Sequence, residues 1–195
     1  SKINNLFLTG DVFHIPNKEK WENLYNILEK DIKVFISPGN HDVDNYINRK
    51  VFEENVKQIT RFPFIFNFDK SIFVISDSTN NGWLLDQKTI NKINQISHDS
   101  TIYLLRHNIV ANEFLPLSNS LYGFKGNIYS IKELQSVFKN KLTIISGDGG
   151  AFNYLPRFFC KEYGKLRFIV NGLGGIKGDI ILIVWNNNIY KYVLN

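Results

Sequence analysis

Short apolar runs alternate along the chain with stretches in which apolar residues recur every three or four positions. Asn5 to Thr9 (NLFLT) is apolar and runs into Gly10-Asp11, which predicts a buried strand ending in a turn. Lys18 to Lys30 carries Trp21, Leu24, Tyr25 and Leu28 at helical spacing with charges between them. Lys33 to Ser37 (KVFIS) predicts a second buried strand, stopped by Pro38-Gly39. Asn45 to Thr60 is helical in pattern, with Val51, Phe52, Val56 and Ile59 on one face. Phe64 to Phe68 and Ser71 to Ser76 flank Asp69-Lys70 and predict a hairpin, and Asp86 to Ser97 predicts a third helix. Thr101 to Leu105 and Leu142 to Ser146 are further short buried strands, each followed at once by polar residues. Leu166 to Asn171, Asp179 to Trp185 and Ile189 to Leu194 close the chain as strand-like runs separated by Gly-rich and Asn-rich turns. Strands and helices alternate first and antiparallel-looking strands follow, which predicts an α/β layered fold with a mixed sheet or a pair of packed sheets.

A chain of 195 residues with no repeat, low-complexity tract or linker is expected to form one domain with a substantial core. Hydrophobic residues make up 44% and charged residues 21%, the balance of a globular domain. No apolar run approaches the roughly 18 residues of a membrane-spanning helix. The net charge is +5, but the basic residues are scattered among many Asn and Ile rather than striped, so nucleic acid is a possible partner that the pattern does not indicate. A single cysteine, Cys160, excludes an internal disulfide and a Cys-based zinc site, and leans the compartment towards a reducing, cytoplasmic one. Nothing in the pattern specifies an oligomeric state.

The side chains that could bind a metal fall at the ends of the predicted strands. Asp11 follows the strand at 5–9, Asn40, His41 and Asp42 follow 33–37, His107 follows 101–105, and Asp148 follows 142–146. In open α/β sheets, ligands gather in the crevice beyond the carboxyl ends of the strands. Glycines at Gly10, Gly39 and Gly147 let the backbone turn there and present the next side chain. Alone, Gly10-Asp11 is a common turn, His107 suits a core histidine, and Gly147 to Gly150 reads as a tight turn. Gly39-Asn40-His41-Asp42 after a buried strand has few structural explanations, and the ordered set reads as a functional site. Carboxylate, imidazole and amide donors together suit Mn, Fe, Zn or Mg rather than a soft thiolate metal.

With these motifs in this order, the chain resembles the calcineurin-like metallophosphoesterases. That family carries an Asp-x-His, a Gly-Asp, a Gly-Asn-His-Asp/Glu, a single His and a Gly-His-x-His at strand ends. Here Gly10-Asp11 is similar to the second motif, Gly39-Asn40-His41-Asp42 is a full match to the third, and Arg106-His107-Asn108 resembles the fourth. Asp77-Ser78, Gly82 and Gln87 resemble the stretch leading to the fourth motif, and Gly172 to Gly175 the approach to the closing strands. The resemblance implies a layered αββα-type sandwich with mixed sheets and the active site at the C-terminal ends of the strands. It implies two divalent ions, Mn first, with Fe, Zn or Mg as alternatives, and a phosphate-ester substrate, monoester or diester. By the same resemblance Asp11 bridges both metals, and Asn40, His107 and Asp148 bind the second. His41, oriented by Asp42, contacts the phosphate or protonates the leaving oxygen, and a hydroxide between the metals attacks phosphorus in line. Arg106 then helps meet the charge on the phosphoryl oxygens.

Two departures from the family pattern bear on this. No Asp-x-His stands before Gly10, and because the chain opens on Ser1 and contains no methionine, that motif and the first strand are expected upstream. The place of Gly-His-x-His is taken by Gly147-Asp148-Gly149-Gly150, where Asp148 can replace the first imidazole and Gly150 replaces nothing. A first metal site with fewer nitrogens favours Mn or Mg over Zn, unless His14 supplies one from the loop after Asp11. His98 is expected to be exposed and uninvolved, whereas Asn153, Tyr154, Arg157 and Phe158 are expected to line the cleft or to pack beside it. The alternative to an enzyme is a binding or scaffold protein that kept the fold and lost turnover. A nuclease would share the hydrolase chemistry.

Overall fold

The computed structural model describes residues 3–28, 32–57, 61–80, 84–117, 129–149, 158–172, 180–185 and 188–193. Strand β1 (Asn5–Leu8) leads to helix α1 (Lys18–Leu28), then β2 (Lys33–Ile36) and α2 (Tyr46–Asn55). The hairpin β3 (Phe64–Phe68) and β4 (Ser71–Ile75) precedes α3 (Gln87–Asn94) and β5 (Thr101–Arg106). A 3-10 turn at Asn112–Leu117, helix α4 (Ile131–Val137) and β6 (Leu142–Ser146) follow. The chain closes with β7 (Phe158–Tyr163), β8 (Leu166–Asn171), β9 (Ile180–Trp185) and β10 (Asn188–Val193).

Six strands form one mixed sheet in the order β3-β4-β5-β6-β8-β7. Its centre is parallel, since β4 pairs with β5, β5 with β6 and β6 with β8 in the same direction. The hairpin partner β3 and the strand β7 run antiparallel at the two edges. Parallel pairs β1–β2 and the antiparallel pair β9–β10 are separate two-stranded sheets.

The central strands read as continuous apolar runs because both of their faces are covered. On one face Val74, Ile102, Leu104, Leu142, Ile144, Leu166 and Phe168 pack with Ile90 and Ile93 of α3 and Leu134 of α4. On the other, Phe73, Ile75, Tyr103, Leu105, Ile145 and Ile169 meet Val34 and Phe35 of β2, Trp21 and Tyr25 of α1, and Phe52 of α2. Half-buried Leu182, Val184 and Ile189 bring the β9–β10 pair onto this second core. The period of two along each strand therefore divides the residues between two cores, one under α3 and α4 and one between the large sheet and the smaller ones. Side chains such as Leu104 and Ile102, at 0% and 1% exposure, each contribute about 1.5–3 kcal/mol by leaving water. This layered arrangement is the mixed α/β fold the sequence predicted.

Some boundaries and two elements differ from the sequence expectation. Helix α2 stops at Asn55 because Val56 is extended, with φ −82° and ψ 93°. Helix α3 begins after Asp86, whose carboxylate caps it by accepting from Thr89 N. Helix α4 lies outside the elements the apolar pattern predicts, although its sequence carries a signature: Ser130 and Glu133 form a reciprocal capping box, and Ile131 and Leu134 are its buried residues. Strand β7 was also missed, being a half-buried edge strand without the apolar run of the central ones. No helix among the described residues is long and apolar enough to cross a membrane.

Candidate active site

The loops after β1, β2, β5 and β6 meet at the carboxyl edge of the sheets. Gly10 has φ +89°, and a Cβ on it would stand 2.6 Å from Gly39 N and 2.7 Å from the His107 ring. A Cβ on Gly39 would stand 2.2 Å from Asp11 Oδ1. Both glycines are required by close approach of backbones, and the first also by its left-handed conformation. Asp11 follows with φ 53°, a conformation uncommon for a residue with a side chain and held here by its contacts.

Asp11 is bound from two sides. Its Oδ1 accepts from the backbone amide of His41 at 2.9 Å, and its Oδ2 lies 3.3 Å from Nε2 of His107. Burial works against ionisation of Asp11, yet the facing His107 ring, the His41 amide and the charge of His41 hold the carboxyl below its usual range. On His107, Nδ1 lies 2.8 Å from Thr9 O. A carbonyl only accepts, so Nδ1 carries a proton and the ring turns Nε2 towards Asp11. That buried Nε2 has no hydrogen-bonding partner of good geometry, so the 3.3 Å contact is electrostatic rather than a directed hydrogen bond. Burial disfavours charge on His107, but Asp11, then Asp148 and Thr9 O, outweigh it and raise its pKa.

The β6 loop is tied to the same place. His107 O accepts from Gly147 N and Asp148 N, both at 2.9 Å. Asp148, 5% exposed, accepts at Oδ2 from Asn108 Nδ2 at 3.2 Å. Asn40 is half-buried between Gly39, whose backbone abuts Asp11, and His41, whose amide binds it. The structure thus brings the loops carrying Asp11, Asn40, His107 and Asp148 together from four strands.

Three assignments change in the light of the structure. Asp42 does not orient the His41 ring: its two oxygens accept from Phe13 N at 3.2 Å and Gly39 N at 3.0 Å. It is fully buried, and desolvation pushes its pKa up to about 6. Arg106 is not open to a substrate, because its side chain is 0% exposed and Nε donates to Asn108 O at 2.7 Å. Burial lowers its pKa to about 10, which leaves it charged at neutral pH beside the charges of Asp86 and Asp77. Phe158 belongs to β7, where its ring packs on the second core under Lys191.

His14 is exposed and its ring centroid lies 4.6 Å from that of His41, so the two imidazoles stand side by side at the mouth of the site. His98 is exposed, as expected, and lines a cavity of about 380 Å³ with Lys141 and Lys165 near the amino ends of β5 and β6. Gly82, Gly150, Asn153, Tyr154, Arg157 and Gly174 lie outside the described residues. Asn108, the last residue of the Arg106-His107-Asn108 motif, reaches Asp148 through its amide, a contact that no local signal along the chain indicates.

The donor set fits a divalent cation in one respect and is incomplete in another. An orphaned buried imidazole nitrogen facing an ionised carboxylate is a preformed pair of ligands, with an amide and a second carboxylate on adjoining loops. Among the described residues, however, no three His, Cys, Asp or Glu side chains are grouped so as to hold a metal by themselves.

The sequence model of the calcineurin-like phosphoesterases matches residues 1–172. This chain belongs to the calcineurin-like phosphoesterase family. A comparison with curated proteins found no match. Members of the family generally bind divalent metals, and membership supports a hydrolase acting on phosphate esters.

Proposed function

We propose that this chain is one metallophosphoesterase domain, residues 1–195, that hydrolyses a phosphomonoester or phosphodiester in a metal-dependent reaction. The observation that carries the reading is the Asp11–His107 pair, a carboxylate and an imidazole 3.3 Å apart with the imidazole locked from behind by Thr9 O. Asp11, Asn40, His107 and Asp148 would hold the metal, and the oxygen-rich donors favour Mn, with Mg, Fe or Zn as alternatives. A bound divalent ion, or a pair of them, supplies Lewis-acid polarisation of the phosphoryl oxygens and a water acidic enough to act as nucleophile near neutral pH. His41, at the mouth and anchored through its amide to Asp11, donates a proton to the leaving oxygen. His14, beside it, binds a phosphoryl oxygen of the substrate. Asp42 acts at a distance, holding the Asp11 and Asn40 loops in register through Phe13 N and Gly39 N.

The test is hydrolysis of p-nitrophenyl phosphate and bis(p-nitrophenyl) phosphate by chelator-treated protein to which Mn, Mg, Fe or Zn is returned. Metal-dependent release of nitrophenol that Asp11→Ala abolishes is the expected result. Absence of turnover with every metal would overturn it. A second reading, a binding protein with the fold and weakened catalysis, is favoured by Asp148-Gly149-Gly150 in place of the usual His-x-His and by the absence of a three-residue cluster among the described residues. Tight binding of a phosphate ester without hydrolysis would identify it.

A further inference from the structure

Behind the candidate ligands lies a hydrogen-bonded chain that the reaction scheme leaves unused. Ser78 and Asn108 are each 1% exposed. Asn108 N donates to Ser78 Oγ at 3.1 Å, and Ser78 Oγ donates in turn to Asn108 Oδ1 at 2.8 Å. The Asn108 amide nitrogen then donates to Asp148 Oδ2 at 3.2 Å. Direction along this chain is set by chemistry. A carboxylate oxygen accepts, so the amide must turn its nitrogen to Asp148 and its oxygen to Ser78. The Ser78 hydroxyl already accepts the Asn108 backbone N–H, which leaves its own proton for that amide oxygen. The backbone of Asn108 is fixed as well, its carbonyl accepting from Arg106 Nε at 2.7 Å and Ser146 Oγ at 3.2 Å. Ser146 ends β6 and Arg106 ends β5, so the clamp is anchored on the two strands that deliver His107 and Asp148.

We propose that Ser78 and Asn108 are positioning residues that aim the Asp148 carboxylate, resting on the reading of Asp148 as a metal ligand. Asp148 stands where the family motif has an imidazole, and a carboxylate can meet a cation through either of two oxygens. An N–H donor on Oδ2 limits that choice before a cation arrives, which is the role outer hydrogen bonds play around metal ligands.

The experiment is titration of Mn²⁺ into the chelator-treated protein, followed by calorimetry, for wild type, Asn108→Ala, Ser78→Ala and Asp148→Ala, with thermal melting of each metal-free protein. Asn108→Ala is expected to weaken Mn²⁺ binding by about 10–100-fold, and Ser78→Ala to weaken it in the same direction. A purely structural role would lower the melting temperature of the metal-free chain and leave Mn²⁺ affinity unchanged, and that result overturns the proposal. Should Asn108→Ala fail to fold, Ser78→Ala decides alone, because it removes the hydroxyl that orients the amide and spares the amide itself. Wild-type affinity in Asp148→Ala would remove Asp148 from the metal site and take this inference with it. Weakened binding in Asp148→Ala with wild-type binding in both clamp variants sinks the clamp only.

Discussion

Nε2 of His107 faces Oδ2 of Asp11 at 3.3 Å, although the two residues follow strands of different sheets. Their mutual attraction explains why Asp11 is held ionised and His107 charged more easily than usual despite burial. A divalent cation held by Asp11 and His107 would take the place of any proton on Nε2 and be drawn by the ionised carboxylate. Asp11→Ala should therefore reduce Mn²⁺ affinity by more than about 100-fold, beyond the range seen for outer-shell residues. Calorimetric titration checks this, and near-normal affinity would remove Asp11 from the site.

Metal should also stabilise the fold. At a free Mn²⁺ concentration of about 100 times Kd, the gain is about 2.7 kcal/mol, and chelator should abolish it. Urea unfolding with and without metal measures the gain. The same experiment on Asp11→Ala should show almost none.

Asp42 carries a pH dependence that can be isolated. Its pKa in the fold, about 6, lies above the 3.8 of the unfolded chain. Its contribution to stability is thus full below about 3.8 and is lost as pH rises through about 6. Asp42→Asn removes this titration while costing a fixed amount for the amide contacts it disturbs. In metal-free protein, wild type should lose about 2 kcal/mol relative to Asp42→Asn between pH 4 and pH 7. A pH-independent difference between the two unfolding free energies would contradict the raised pKa.

Gly39 has no room for a methyl group, since a Cβ would stand 2.2 Å from Asp11 Oδ1 and 2.3 Å from Asp11 N. Backbone must move to accept it, so Gly39→Ala should destabilise by about 3 kcal/mol and disturb Asp11 at once. The denaturant midpoint and the Mn²⁺ affinity should fall together. A stable variant with intact affinity would mean that the two loops are not packed as described.

The two imidazoles at the mouth should separate kinetically. His41→Ala should lower kcat by about 100-fold or more, in the range of a lost general acid, and most for esters with poor leaving groups. His14→Ala, removing a substrate contact, should act mainly on KM. Equal effects of His41→Ala on activated and unactivated esters would argue against proton donation.

Much was legible in the sequence because burial imposes periodicity. Val74, Ile102, Leu104 and Ile144 had to be apolar to lie between two layers, and such runs announce strands directly. Helix α4 escaped notice because it has only seven residues, although Ser130 and Glu133 marked its start. Strand β7 escaped because an edge strand has no such constraint. Gly39 to Asp42 stood out because it concentrates metal-capable side chains on a turn.

From its residues alone, this protein declared its layered α/β class, its family motifs and the strand ends where chemistry would gather, since those depend on local spacing and on which side chains leave water. Folding decided how the motifs serve one another. Asp42 binds two amides instead of an imidazole, Arg106 supports a loop from inside the core, and Asn108 reaches Asp148 from the loop of the neighbouring strand. Hydrogen bonds between distant segments depend on sheet order and loop approach within a few tenths of an ångström, and no spacing along a chain encodes them.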